Sequence, residues 1–87
     1  MTLDDIKNTI EKVVEGSTAY ILDPMNDGQH LQAVVVSPSF EGMMLIKQHR
    51  SVMNALKDAF GSDTVHALGL KTFTPEKFEL ERAHFGL

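Results

Sequence analysis

An 87-residue chain with no cysteine and a formal charge of −4 is narrowly bounded before any motif is read. It has room for one domain, with roughly 60–65% of its unfolded surface to bury, and a hydrophobic content of 43% is enough to build that core. The missing thiols exclude a disulfide framework and thiolate-bound zinc, and no apolar run approaches the ~20 residues of a membrane span.

With no charged-then-apolar leader ahead of the first helix, a soluble cytoplasmic protein is expected. Residues 1–27 hold six acids and two lysines, whereas residues 47–57 hold Lys47, Arg50 and Lys57 without an acid. A net acidic chain is poorly steered to phosphate backbones, where binding comes largely from Lys and Arg displacing counterions. The 47–57 run is either a local phosphate contact or the solvated face of a helix.

Thr2 and Asp5 mark a helix start, since hydroxyl and carboxylate satisfy early backbone N–H groups. Leu3, Ile6, Ile10, Val13 and Val14 then recur at helical spacing, and Gly16 stops the helix. Residues 17–23 form an extended segment, and Pro24 to Gly28 is a loop of residues that tolerate unusual backbone angles. Leu31 to Ser37, with Val34-Val35-Val36 at its centre, predicts a strand paired antiparallel with the preceding one. Pro38 ends it and Gly42 marks a turn.

From Leu45 the spacing becomes helical again through His49, Val52, Met53, Leu56 and Phe60, until Gly61. Val65 to Phe73 predicts a third strand. Thr74-Pro75-Glu76 opens a short last helix, with the hydroxyl as cap and proline in the first turn. The order predicts a single α/β domain over residues 1–87, a three-stranded sheet with its helices packed mainly on one face. Residues 84–87 are expected to form a flexible tail.

Histidine is the residue type with most to offer chemically. On a strand His66 shares a face with Leu68 and Leu70, and spacing alone favours a packed histidine bonded to backbone groups. A ligand role requires it to project from the strand's exposed beginning. His49 falls on the apolar stripe of its helix, a core or capping position, and His84 is expected to be solvated. Met43, Met44 and Met53 read as core filling. No Gly-x-Ser-x-Gly elbow, His-Glu-x-x-His or glycine-rich phosphate loop is present, and Asp4, Asp5 and Glu11 fall on the outward face of the first helix. These absences point away from an enzyme.

The run Val65-His66-Ala67-Leu68-Gly69-Leu70-Lys71-Thr72-Phe73-Thr74-Pro75-Glu76 follows Val35-Val36-Ser37, with Phe40 and Gly42 close behind, and His49-Arg50. In this order the elements resemble the BolA family of small adaptor proteins, from about His30 to Phe78. The resemblance implies a type II KH-like fold, α-β-β-α-(α)-β-α with a mixed sheet. It also implies a [2Fe–2S] cluster shared with a monothiol glutaredoxin, to which His66 contributes. The thiolates would come from the glutaredoxin's cysteine and bound glutathione, because a chain without cysteine does not hold such a cluster alone.

Family members carry a cysteine or histidine ligand in the loop joining the first two strands. Pro24 to Gln29 offers neither. His30 resembles the histidine that opens the second strand, and it is the candidate second ligand. Asp27 is only a hard oxygen donor, poorly matched to iron–sulfur chemistry. Lys71 and Arg50 are candidate partner contacts, although the family's Arg-His-Arg reads Gln48-His49-Arg50 here.

Some relatives are linked to stress response and transcription, so nucleic-acid binding through Lys47, Arg50 and Lys57 is the alternative. A KH module clamps nucleotides with a Gly-x-x-Gly loop, whereas Glu41-Gly42-Met43-Met44-Leu45 has one glycine and bulky residues after it. Without its partner the chain is expected to be a monomer or a weak dimer.

Overall fold

The computed structural model describes residues 2–62 and 68–87. Helix α1 (Leu3–Val13) opens on the reciprocal caps expected of Thr2 and Asp5. Thr2 Oγ1 accepts the Asp5 N–H at 3.1 Å and Asp5 Oδ2 accepts the Thr2 N–H at 2.8 Å, so two otherwise unpaired donors are satisfied. Ile6 and Ile10 are fully buried, while Leu3 and Val13 of the same stripe stay at its exposed margin. Gly16 then turns the chain at φ +67°, and a Cβ there would lie 3.4 Å from the Pro38 ring.

Strands β1 (Thr18–Leu22) and β2 (Leu31–Val36) pair antiparallel, from Thr18 opposite Val36 to Leu22 opposite Gln32. Strand β3 (Leu68–Phe73) runs parallel to β2, with Leu31 opposite Leu68 and Val36 opposite Phe73. The order β1-β2-β3 makes β2 central and β3 an edge. Parallel neighbours need a crossover longer than a tight turn, and helix α2 (Leu45–Phe60) lies on that connection.

A central strand is covered on both sides, which is the physical reason for the uninterrupted Val34-Val35-Val36 run. Ala33 and Val35 join Ile6, Ile10, Phe40, Val52 and Leu56 beneath α1 and α2. Val34 and Val36 point the other way, to Phe78 of helix α3 (Pro75–Glu81), with Tyr20 and Phe73 packed alongside. Thr74 caps α3 by accepting the Lys77 N–H. The mixed three-stranded α/β architecture is therefore the expected one, with the two long helices together on one face.

Two local features differ from the sequence reading. A short 3-10 turn at Pro38–Phe40 follows β2 and delivers Phe40 into the core at 1% exposure. The chain end does not leave the fold: a second 3-10 turn, Arg82–Phe85, packs Phe85 and Leu87 against the second core. The expected tail over 84–87 is corrected on that point, because the exposed aromatic face of the sheet offers these side chains a place to bury. The strand predicted from Val65 is described only from Leu68 onward. No helix among the described residues is long and apolar enough to cross a membrane.

Candidate metal-binding loop

The connection between β1 and β2 is held by two aspartates. Asp23 Oδ1 accepts the Asp27 N–H at 3.2 Å and Asp23 Oδ2 accepts the Gly28 N–H at 2.9 Å. The Asp23 carbonyl takes the Asn26 N–H at 3.0 Å. This closure bends Asn26 to φ +52° and Gly28 to φ +69°, left-handed angles that asparagine and glycine accept most readily. Asp27 then organises the second half, its Oδ1 accepting the Gln29 and His30 N–H groups at 2.9 Å each.

The other Asp27 oxygen, Oδ2, lies 2.7 Å from His30 Nδ1. The His30 side chain is 72% exposed, and Nε2 has no hydrogen-bond partner among the described residues. The hydrogen bond to Asp27, followed by the charge attraction between the two, raises the imidazole pKa above 6.5. In return the His30 bond, helped by the two backbone donors, holds the Asp27 carboxyl far below the usual carboxylate range. Asp27 is thus the support behind the histidine, and its oxygens are already engaged.

His30 directly precedes Leu31, the residue opposite Leu68 at the described start of β3. His66, two residues before Leu68 in the sequence, lies outside the described residues. His49 is half-buried on α2, and His84 Nδ1 pairs with Glu81 Oε2 at 2.8 Å on the exposed C-terminal turn. Among the described residues no group of three or more His, Asp or Glu side chains converges to hold a metal ion. The loop does fit one ligand of a shared centre. It presents a single imidazole nitrogen, a borderline donor suited to iron, backed by a carboxylate as metal-binding histidines usually are.

The remaining candidates are spread over two elements. Lys47, Arg50 and Lys57 are exposed along α2, with spacings of three and seven that keep them near one face, and none forms an ion pair among the described residues. Lys71 is exposed on the edge strand β3. The sequence reading missed Gln48. Its amide donates to the Met43 carbonyl at 2.8 Å and the Phe40 carbonyl at 3.3 Å, while Oε1 accepts the Thr72 hydroxyl at 2.7 Å. Gln48 therefore ties the turn before α2 to β3. The only signal for that role was a polar residue at helical spacing between Leu45 and Val52 of the apolar stripe.

The family model for BolA-like proteins matches residues 5–77. The structure of a BolA protein homologue from Coxiella burnetii is 42% identical in sequence, covers 91% of this chain and 97% of that one, and superposes with a TM-score of 0.73. Acid stress protein IbaG of Escherichia coli K12 is 30% identical over 56 residues, 64% of this chain and 67% of that protein. The DNA-binding transcriptional regulator BolA of the same organism is 36% identical over 56 residues, 64% of this chain and 52% of its own length. Fold and matched span agree: this chain belongs to the BolA-like protein family.

Proposed function

We propose that the chain is a non-enzymatic adaptor that binds a monothiol glutaredoxin and shares a bridging [2Fe–2S] cluster with it, in cluster maturation, trafficking or iron regulation. His66 is the principal ligand and His30 the second. The sulfur ligands come from the partner's cysteine and its bound glutathione, since this chain has no thiol. When bound, such a centre supplies an electron-accepting, transferable iron pair.

The observation that carries this reading is the placement of His30. Its ring is held by Asp27 through Nδ1, its side chain is 72% exposed, and it directly precedes Leu31, which pairs with Leu68. Imidazole ligands are neutral where thiolates are anionic, so the shared centre carries less negative charge than one held by thiolates alone. Ligation also requires deprotonated imidazole. Because the His30 pKa is raised, its contribution is complete only on the alkaline side of that value and fades as pH falls through it.

The test is to mix the protein with cluster-loaded monothiol glutaredoxin and record visible circular dichroism. A spectrum distinct from that of the glutaredoxin homodimer is expected, lost or strongly altered in His66→Ala. A spectrum matching the homodimer, or one indifferent to His66→Ala, overturns the proposal. The basic face of α2 favours a second reading, nucleic-acid binding, in keeping with the similarity to a DNA-binding transcriptional regulator. It predicts affinity that falls steeply with salt and drops when Lys47, Arg50 and Lys57 are neutralised.

A further inference from the structure

We propose that Asp27 is the positioning residue that makes His30 a ligand through Nε2, by holding the imidazole in its Nδ1–H form. The inference rests on the iron–sulfur reading above. Its geometry stands without it.

Asp27 approaches the ring with an oxygen that is not needed to shape the loop. Oδ1 alone accepts both backbone N–H groups, of Gln29 and His30, at 2.9 Å. Oδ2 is left for the ring, at 2.7 Å from Nδ1, a short distance typical of a charge-assisted bond. A carboxylate only accepts hydrogen bonds, so the Nδ1 facing it carries the proton. A neutral imidazole has one N–H, and its lone pair is therefore on Nε2. The His30 side chain is 72% exposed, and Nε2 has no hydrogen-bond partner among the described residues to occupy that lone pair.

Asp23 does not share this role. Its two oxygens are spent on the Asp27 and Gly28 N–H groups, so it shapes the loop while Asp27 both shapes it and sets the ring. The division of labour gives Asp27→Asn a particular value. The asparagine carbonyl can still take the two backbone donors, whereas its NH2 group now faces Nδ1. A donor there favours a lone pair on Nδ1 and moves the proton to Nε2, the nitrogen required for ligation. The loop is retained and the ligand is switched off.

The experiment uses the full chain with 15N-labelled histidine, in buffer alkaline enough to neutralise the rings. Long-range 1H–15N correlation then reads the tautomer without any metal. The expected result is Nδ1–H for His30 in the natural chain and Nε2–H in Asp27→Asn, with the Gln29 and His30 amide shifts little changed. In the mixture with cluster-loaded glutaredoxin, Asp27→Asn and His30→Ala are each expected to weaken the mixed species, by roughly 10–100-fold for the Asp27 variant.

An Nε2–H ring in the natural chain, or a tautomer unmoved by Asp27→Asn, overturns the inference. So does a mixed species that His30→Ala leaves intact. Should the natural chain form no mixed species while the tautomers behave as expected, the adaptor reading fails and the assignment of Asp27 as the residue that sets the ring survives it.

Discussion

The two faces of the sheet are covered by different chemistry and to different depths. Beneath α1 and α2 the contacts are mainly aliphatic, and Ile10, Ala33, Val35, Val52 and Leu56 are all completely shielded. On the opposite face the contacts are aromatic and the cover is thin. Tyr20 and Phe78 stack with centroids 5.4 Å apart, Phe73 lies 6.0 Å from Phe78 and 5.9 Å from Phe85, and the Arg82 guanidinium sits 5.3 Å from the Phe78 ring. Many residues on two long helices secure the first face. One buried phenylalanine on a seven-residue helix anchors the second.

A difference of that kind separates global from local stability. Leu56→Ala removes a large aliphatic side chain from the shielded core, and a loss of about 2–5 kcal/mol in urea unfolding is expected. Phe78→Ala deletes a larger side chain, normally about 3–5 kcal/mol, but its global cost is capped by whatever docking the C-terminal segment contributes. Hydrogen exchange distinguishes the two outcomes. Leu56→Ala should speed exchange throughout α1, α2 and β2, whereas Phe78→Ala should speed it chiefly from residue 75 onward. Uniform loss of protection in Phe78→Ala would mean that both faces fold as one unit.

A polar bridge tightens the first face where α2 meets β3. Gln48→Ala leaves the Thr72 hydroxyl, on a residue 8% exposed, without its acceptor and frees two carbonyls of the preceding turn. About 1–3 kcal/mol is expected for such a loss. Thr72→Val sharpens the test by deleting only the donor. Equal effects of the two variants would assign the energy to the Gln48–Thr72 bond, and a larger Gln48 effect would assign the rest to the turn.

Most of the first face could be read from residue order, and most of the second could not. Thr2 with Asp5 and the valine run of β2 act through local backbone chemistry, so spacing was enough to place them, and on the second face the same holds only for Thr74-Pro75 at the start of α3. Phe85 and Leu87 gain their burial from a surface built by Tyr20, Val34 and Phe73, residues distant in sequence, and nothing local announced it. The site divides in the same way. His30 stood out as a residue type, but the support from Asp27 depends on a loop whose shape Asp23 sets through backbone hydrogen bonds. His66, the residue to which the family resemblance assigns most, lies outside the described residues and was legible only through its motif.

The smallest expected effect concerns the rim of the first face, where α1 meets β1. Glu11 Oε2 accepts from Lys7 Nζ at 2.7 Å and from the Ala19 N–H at 2.9 Å, and Lys7 Nζ also donates to the Ala19 carbonyl at 2.9 Å. The Lys7 bond, then the Ala19 bond, lowers the Glu11 pKa against the opposing effect of burial. A carboxylate with a depressed folded-state pKa stabilises fully above its unfolded value of about 4.3 and loses that contribution as pH falls through the folded value. Partial exposure keeps the contribution below about 1 kcal/mol. Glu11→Gln retains an acceptor for the Ala19 N–H and removes the titration. The stability gap between the natural chain and this variant should therefore be present at neutral pH and close in acid. A gap that persists unchanged in acid would assign it to packing, and the first face would then owe nothing to charge at this edge.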